Sequence, residues 1–433
     1  MGFQKPFLLC LSLIPSLACC QWSSVLIAGD GGEPVLQTDG NGRVYLACHQ
    51  DARILLSSDW GASFSLKQSF PSSCCDMSLA RNGENVVVTY LSAAMNGVRS
   101  WVSPDGGNNF SAGIAPSGPL DRQWTAFDPS SGSYYLTYSK GYIGGPPSTG
   151  VFMAKSQDAG QNFVELARTD IESVPNLPVD PYVAVSSTGT VYSMFATTSN
   201  NDKIDKFAFS YSTDGAASFQ GHQTLATTSQ ALGSTQERWM YGWLTASGPS
   251  YVLALYVDYK QIIVDQVEYK PLLVHYRVSS DGGQSFSAAA TLTPVSEIEN
   301  AIRSFEANRL GTVNYPYYIQ MQPVACVDPY GVVHVAYVDN RDGQGLISGI
   351  PNNIWHVRHT KGKYNFSGSQ RVSASTNQRR PNLDFMSIAA DSAYVYVSWS
   401  QLPNSTLDWN FTGNLFVARK ANLPFKVTTF LSN

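Results

Sequence analysis

The 433-residue chain predicts an all-β fold, a single propeller of four-stranded antiparallel blades. Three observations carry that expectation. A stretch of eight residues, Ser279-Ser280-Asp281-Gly282-Gly283-Gln284-Ser285-Phe286, recurs along the sequence. A second pattern, an apolar strand followed by a tight turn and an alternating strand, occurs seven times. No helical periodicity stands out and no inter-domain linker is evident, so the repeats read as one domain.

The seven hairpins follow one another along the chain, with wider gaps in its second half. Pro34 to Ala47 turns at Asp39-Gly40-Asn41-Gly42, and Met77 to Leu91 turns at Asn82-Gly83. Trp124 to Tyr138 turns at Asp128 to Gly132, Tyr182 to Phe195 at Thr188-Gly189, and Tyr241 to Tyr256 at Ser247-Gly248. Pro323 to Tyr337 is the clearest copy, with Asp328-Pro329-Tyr330-Gly331 between its strands. Met386 to Trp399 keeps the alternation and has lost the glycine. Asp, Asn and Gly at such turns supply local hydrogen bonds and positive φ. Seven hairpins predict seven blades, with a six-bladed ring plus a terminal hairpin as the alternative.

Five hairpins lead into the second motif, Ser-x-Asp-x-Gly-x-Ser/Asn-Phe. It starts at Ser57, Ser103, Ser156, Ser212 (where Ala216 replaces the glycine) and Ser279. Asp closes a turn onto its own backbone, Gly takes positive φ, and Phe enters the core. The sixth copy has Lys361 at the aspartate position, and the seventh fades into Phe416 to Arg419 and Pro424-Phe425.

These stretches resemble the Asp boxes, or bacterial neuraminidase repeats, of the sialidase-like β-propellers, and the resemblance covers most of the chain. In that family the box is structural and lies away from the active site. The resemblance therefore makes Asp59, Asp105, Asp158, Asp214 and Asp281 turn-formers. It also implies six blades, three arginines gripping a sialate carboxylate, a Tyr nucleophile with its Glu, and an Asp acid/base. The family's first arginine opens the first blade in Arg-Ile-Pro, where this chain has Gly32-Glu33-Pro34. A carboxylate there repels an anionic sugar. Arg122, Arg238 and Arg341 are left to form a different triad, and Tyr256, Tyr259, Glu268 and Tyr269 are open candidates for the Tyr–Glu pair.

In a propeller, residues just before each innermost strand ring one mouth of the axis. By register these are Glu33, Asp76, Asp121 with Arg122, Asp180, Glu237 with Arg238, Gln322 and Asp384. His49, Asp51, Asp258, Asp339 and Arg341 follow second strands toward the same mouth. Paired carboxylates cleave glycosidic bonds, arginines clamp sugar carboxylates, and Trp124 and Trp239 offer stacking faces. The expected function is recognition, with or without cleavage, of an extracellular glycan or polysaccharide. An enzyme form would be a glycoside hydrolase or polysaccharide lyase using Glu33, Asp76, Asp121, Asp180 or Glu237, with Arg122, Arg238 and Arg341 holding substrate. Exo-α-sialidase activity with a non-standard arginine set is one alternative. The other is a non-catalytic adhesion propeller binding through the insertions Asp258 to Lys270 and Asn340 to Asn353. No cofactor is called for, and Ca²⁺ is the ion such carboxylates would suit. The histidines lack zinc-ligand spacing.

Net charge of −4, with 14% charged residues, gives no basic excess for nucleic acid. Residues 1–20 read as a signal peptide, Lys5 before an apolar run from Phe7 to Leu17 and Ala18-Cys19-Cys20 at the cleavage site. The propeller is assigned to 21–433, and the chain is expected to be a secreted monomer with no membrane span. Asn109, Asn365, Asn404 and Asn410 stand in glycosylation triplets. In an oxidising compartment Cys48 could bridge to Cys74 or Cys75, and Cys326 reads as a buried thiol.

Overall fold

The computed structural model describes residues 21–49, 52–71, 75–94, 96–141, 150–171, 177–199, 203–232, 242–308, 318–341, 353–360, 366–373, 381–401 and 413–422. It is a seven-bladed β-propeller of four-stranded antiparallel blades.

The first blade is built from β1 (Ser23–Thr38), β2 (Val44–His49), β3 (Arg53–Ser57) and β4 (Ser65–Ser69). The second has β5 (Ser78–Asn82), β6 (Asn85–Leu91), β7 (Val98–Ser103) and β8 (Ser111–Gly113). The third has β9 (Leu120–Phe127), β10 (Tyr134–Lys140), β11 (Gly150–Ser156) and β12 (Val164–Arg168). The fourth has β13 (Leu177–Val185), β14 (Val191–Ser199), β15 (Lys203–Ser212) and β16 (Gln220–Leu232). The fifth has β17 (Gly242–Ser247) and β18 (Tyr251–Tyr259), then an inserted hairpin of β19 (Ile262–Val264) and β20 (Val267–Tyr269), then β21 (Leu272–Ser279) and β22 (Ala290–Thr291). After the helix α1 (Val295–Asn308), the sixth has β23 (Gln320–Val327), β24 (Val332–Asp339), β25 (Asn353–Thr360) and β26 (Gln370–Arg371). The seventh has β27 (Pro381–Ala390), β28 (Tyr394–Gln401) and β29 (Gly413–Ala421).

The seventh blade takes its fourth strand from the other end of the chain. The first half of β1 pairs antiparallel with β29, from Ser23 opposite Arg419 to Gly31 opposite Gly413. The second half of β1 is the innermost strand of the first blade. One strand thus closes the ring, which explains why the seventh copy of the Ser-x-Asp motif fades. The six-bladed alternative does not hold, because the terminal hairpin is a full blade once β1 is counted.

Second strands are sandwiched between neighbouring blades, and all eight residues of β24 are buried. Such strands read as apolar runs because both faces are covered. Outer strands such as β4 and β12 are largely exposed, and β4 is polar. The hairpin turns carry the expected left-handed glycines, Gly83 at φ +57° and Gly331 at φ +75° among them. The seventh turn has no glycine. Asp391 Oδ1 holds it instead, accepting from the amides of Ala393 (2.7 Å) and Tyr394 (2.8 Å).

The five Ser-x-Asp turns share one geometry. In the first, Asp59 Oδ1 accepts from Ser57 Oγ at 2.7 Å and from the Ser63 amide at 2.9 Å, and Ser57 Oγ accepts from the Gly61 amide at 2.8 Å. Hydrogen bonds from Ser63 and Ser57 pull the Asp59 carboxyl down to about 2. In the first three turns the glycine rests on the second strand of the preceding blade. A Cβ added at Gly61 would meet Tyr396 at 3.1 Å, and one at Gly107 would meet Tyr45 at 3.1 Å. Ala216 keeps the left-handed backbone, φ +71°, with its Cβ buried beside Tyr135 and Met153.

Two sequence expectations are corrected here. Helix α1 exists although no helical periodicity was expected. Its apolar face, Ile298, Ala301, Ile302 and Phe305, has helical spacing and packs on Ile262, Val264 and Leu273. The four residues are spaced by three, one and three, too short a run to outweigh the strand pattern around it. Cys48 is a free thiol, not a partner of Cys75. It lies among Leu36, Leu46 and Leu55, whereas Cys75 packs against the second and third blades. Burial pushes the Cys48 thiol up to about 12. Cys75 is disulfide-bonded, with its partner outside the described residues, and Cys326 is free as expected.

Candidate carboxylate ring at the axial mouth

Innermost strands do not begin cleanly. The β1–β2, β9–β10, β13–β14 and β23–β24 ladders each slip in register at the same level. At that level Glu33, Arg122, Asp180 and Gln322 have φ of +48°, +55°, +45° and +53°. Asp76, just ahead of β5, has φ +53°. Five blades thus place a non-glycine residue in left-handed backbone at one equivalent position. Each costs on the order of 1 kcal/mol, and such strain clusters where a side chain must be aimed. Pro34, Pro181 and Pro323 follow three of these positions, where the bulge leaves no ladder hydrogen bond for a proline to lose.

The bulges bring the ring residues of adjacent blades into contact. The Asp76 amide donates to Glu33 Oε2 at 2.7 Å. The Arg122 amide donates to Asp76 Oδ2 at 3.2 Å and to Asp121 Oδ1 at 3.0 Å. Arg122 Nε lies 3.5 Å from Asp180 Oδ1, and His49 Nδ1 lies 3.5 Å from Glu33 Oε2. Glu33, Asp76 and Asp121 are buried, while Arg122 and Asp180 are half-buried. Burial raises the Asp121 carboxyl well above its usual range. The hydrogen-bonded Asp76 carboxylate pushes the same way, and Arg122 opposes both. The neutral form of Asp121 is thereby favoured.

Beneath the ring, aromatics of three consecutive blades meet. Trp124 meets Trp243 edge to face at 5.2 Å and Tyr182 at 6.4 Å, and Tyr182 lies 6.0 Å from Trp243. Below them is an axial cavity of about 310 Å³, lined by innermost-strand residues of all seven blades. None of the ring carboxylates lines it.

Glu33, Asp76, Asp121, Arg122 and Asp180 are therefore brought together as expected from register, with Trp124 directly under them. Glu237, Arg238 and Trp239 lie outside the described residues, as do Asp51, Asn365, Asn404 and Asn410. Asn109 is exposed in its turn, with Nδ2 donating to Asp105 Oδ2 at 2.6 Å. Arg341 is engaged by residues of α1 and the sixth blade. Its guanidinium bonds Asp339 Oδ2 at 2.6 Å and Glu297 Oε1 at 2.9 Å and lies 3.9 Å over the Trp355 ring. That cluster ties α1 to the sixth blade. Sequence reasoning missed Tyr182 and the left-handed backbone of the ring. The recurrent proline was the available signal for the bulge. Among the described residues no group of three or more His, Cys, Asp or Glu forms a metal site.

No family model and no curated protein matches the sequence. Solved structures similar to it are propellers at low identity. YCF48 bound to D1 peptide has TM-score 0.50 at 10% identity, over 95% of this chain and 99% of that one. The Penicillium chrysogenum alpha-L-arabinanase complexed with arabinobiose has TM-score 0.47 at 11% identity, over 92% of this chain and 98% of that one. The Hadza microbial sialidase Hz136 has TM-score 0.47 at 9% identity, over 89% of this chain and 74% of that one. The likeness is one of fold.

Proposed function

We propose that this chain is a glycan-directed propeller, with extracellular carbohydrate engaged at the carboxylate ring. The observation that carries the reading is the convergence of Glu33, Asp76, Asp121, Arg122 and Asp180 on one mouth, with the Asp121 carboxyl raised well above its usual range by burial. A raised carboxyl is what a general acid for glycoside cleavage needs. Asp76 and Asp121, in contact, are too close to flank a glycosidic bond, which needs carboxyls about 5 to 10 Å apart. Asp121 therefore serves as the acid, and Asp180, beyond Arg122, is the second carboxylate.

Non-catalytic recognition is the second reading. The pairing of Arg122 with Asp180 and of Glu33 with the Asp76 amide favours it, since paired charges are already spent. A secretory route belongs to the same proposal, supported by the leader-like first twenty residues and the Cys75 disulfide. Glycosylation at Asn109, Asn365, Asn404 and Asn410 goes with that route. A panel of fluorogenic neutral and acidic glycosides, run with wild type and Asp121→Asn, tests the enzyme form. Turnover lost in the variant supports it, and turnover unchanged in the variant removes Asp121 from the chemistry.

A further inference from the structure

The axial cavity is lined by residues further along the innermost strands than the ring, Trp124, Tyr182 and Trp243 among them, and has its own chemistry. Its volume of about 310 Å³ holds roughly ten waters, the lower end of the range for small-molecule sites. Its walls are edges of innermost strands, each hydrogen-bonded on one side only, so backbone N–H and C=O groups face the axis. Most polar side chains of the lining are already engaged. Ser78 Oγ accepts from the Thr125 amide at 2.8 Å, and Ser387 Oγ accepts from the Leu36 amide at 3.0 Å. Trp243 Nε1 donates to the Ala325 carbonyl at 2.8 Å.

Arg81 is the one charged residue among those lining the cavity. Its Nε donates to the Thr38 carbonyl at 3.2 Å and one terminal nitrogen donates to the Gly83 carbonyl. The other terminal nitrogen has no hydrogen-bond partner among the described residues. The nearby Glu84 is held by Arg43, Nη1 to Oε2 at 2.7 Å, and does not neutralise Arg81 through a salt bridge. A half-open chamber with aromatics in its lining, one guanidinium at its rim and no lining carboxylate suits a small organic anion with an apolar body.

We propose that the axial cavity is a binding site for small aromatic or aliphatic carboxylates, anchored by Arg81 with the apolar body held among Ala126, Val185 and Ala246. The site is independent of the ring. Trp124 and Trp243 in the lining give a direct readout through tryptophan fluorescence. Benzoate and its neutral analogue benzamide are titrated against the folded protein, following tryptophan fluorescence and heat of binding. Benzoate is expected to bind saturably and at least about tenfold more tightly than benzamide, the worth of one charge-assisted hydrogen bond. Arg81→Gln is expected to remove that preference, and Ala246→Leu, which fills the cavity, to remove binding of both. Equal binding of benzoate and benzamide, or benzoate binding that survives both Arg81→Gln and Ala246→Leu, would overturn the proposal.

Discussion

Replacing Gly283 by alanine probes how one blade rests on the next. Gly283 has φ +86°, and an added Cβ would lie 2.8 Å from Phe209 Cζ, 2.9 Å from its Cε1 and 3.4 Å from Tyr192 Cε1. Phe209 cannot swing aside freely. Its ring is packed edge to face on Phe286 at 4.9 Å and stacked on Tyr192 at 6.0 Å. Left-handed backbone costs alanine about 1 kcal/mol, and overpacking adds about 1 to 3 kcal/mol. The smaller entropy of the unfolded alanine chain returns roughly 0.5 kcal/mol. The net loss is about 2 to 3 kcal/mol. With an unfolding entropy near 2.1 cal/mol/K per residue, a chain of this size loses about 3 °C in Tm. Urea denaturation and thermal unfolding of the variant measure this. Ala216→Gly is the control, because relief of its backbone strain and loss of its buried methyl nearly cancel, giving a change within about 1 kcal/mol. A Gly283→Ala protein within about 0.5 kcal/mol of wild type would refute the inter-blade argument.

Acid should weaken the fold before any carboxylate of the Ser-x-Asp turns titrates. Burial depresses His275 to about 4 and holds His334 and His356 below the ordinary histidine range. The unfolded chain therefore takes up protons first as pH falls below about 6.5, and His275 alone removes about 3 kcal/mol by pH 4. Urea midpoints falling from pH 7 to pH 5 agree with this, and midpoints that hold or rise contradict it. Arg341→Ala leaves the fully buried Asp339 without its cation, at a cost of about 3 to 5 kcal/mol. Glycan binding at the ring is expected to survive under conditions where the variant is folded. A stable Arg341→Ala protein that has lost glycan binding would put Arg341 back in the site.

Much of this architecture was legible because propeller blades repeat. Seven hairpins and five Ser-x-Asp turns are local signals, each closed by residues a few positions apart. The ring was legible from register alone, since the residue before each innermost strand falls at the axis whatever its type. What sequence could not supply is non-local. Ser23 to Gly31 meets Gly413 to Arg419 from the opposite end of the chain, and nothing local marks that pairing. Trp124, Tyr182 and Trp243 meet from three consecutive blades, so their contact depends on how the blades pack. Helix α1 is amphipathic only toward the β19–β20 hairpin, a partner that exists as a surface only once the fifth blade has formed. Arg341 was placed at the mouth by position in its strand, but Asp339 and Glu297 draw it into the sixth blade.

The central claim is that the carboxylate ring engages carbohydrate. A glycan array probed with wild type, Arg122→Ala, Asp180→Ala and the cavity variant Ala246→Leu tests it most directly. The account predicts a defined set of glycans bound by wild type and Ala246→Leu and lost in both ring variants. Glycan binding that persists in Arg122→Ala and Asp180→Ala, or no binding and no glycoside turnover by any form, would contradict it.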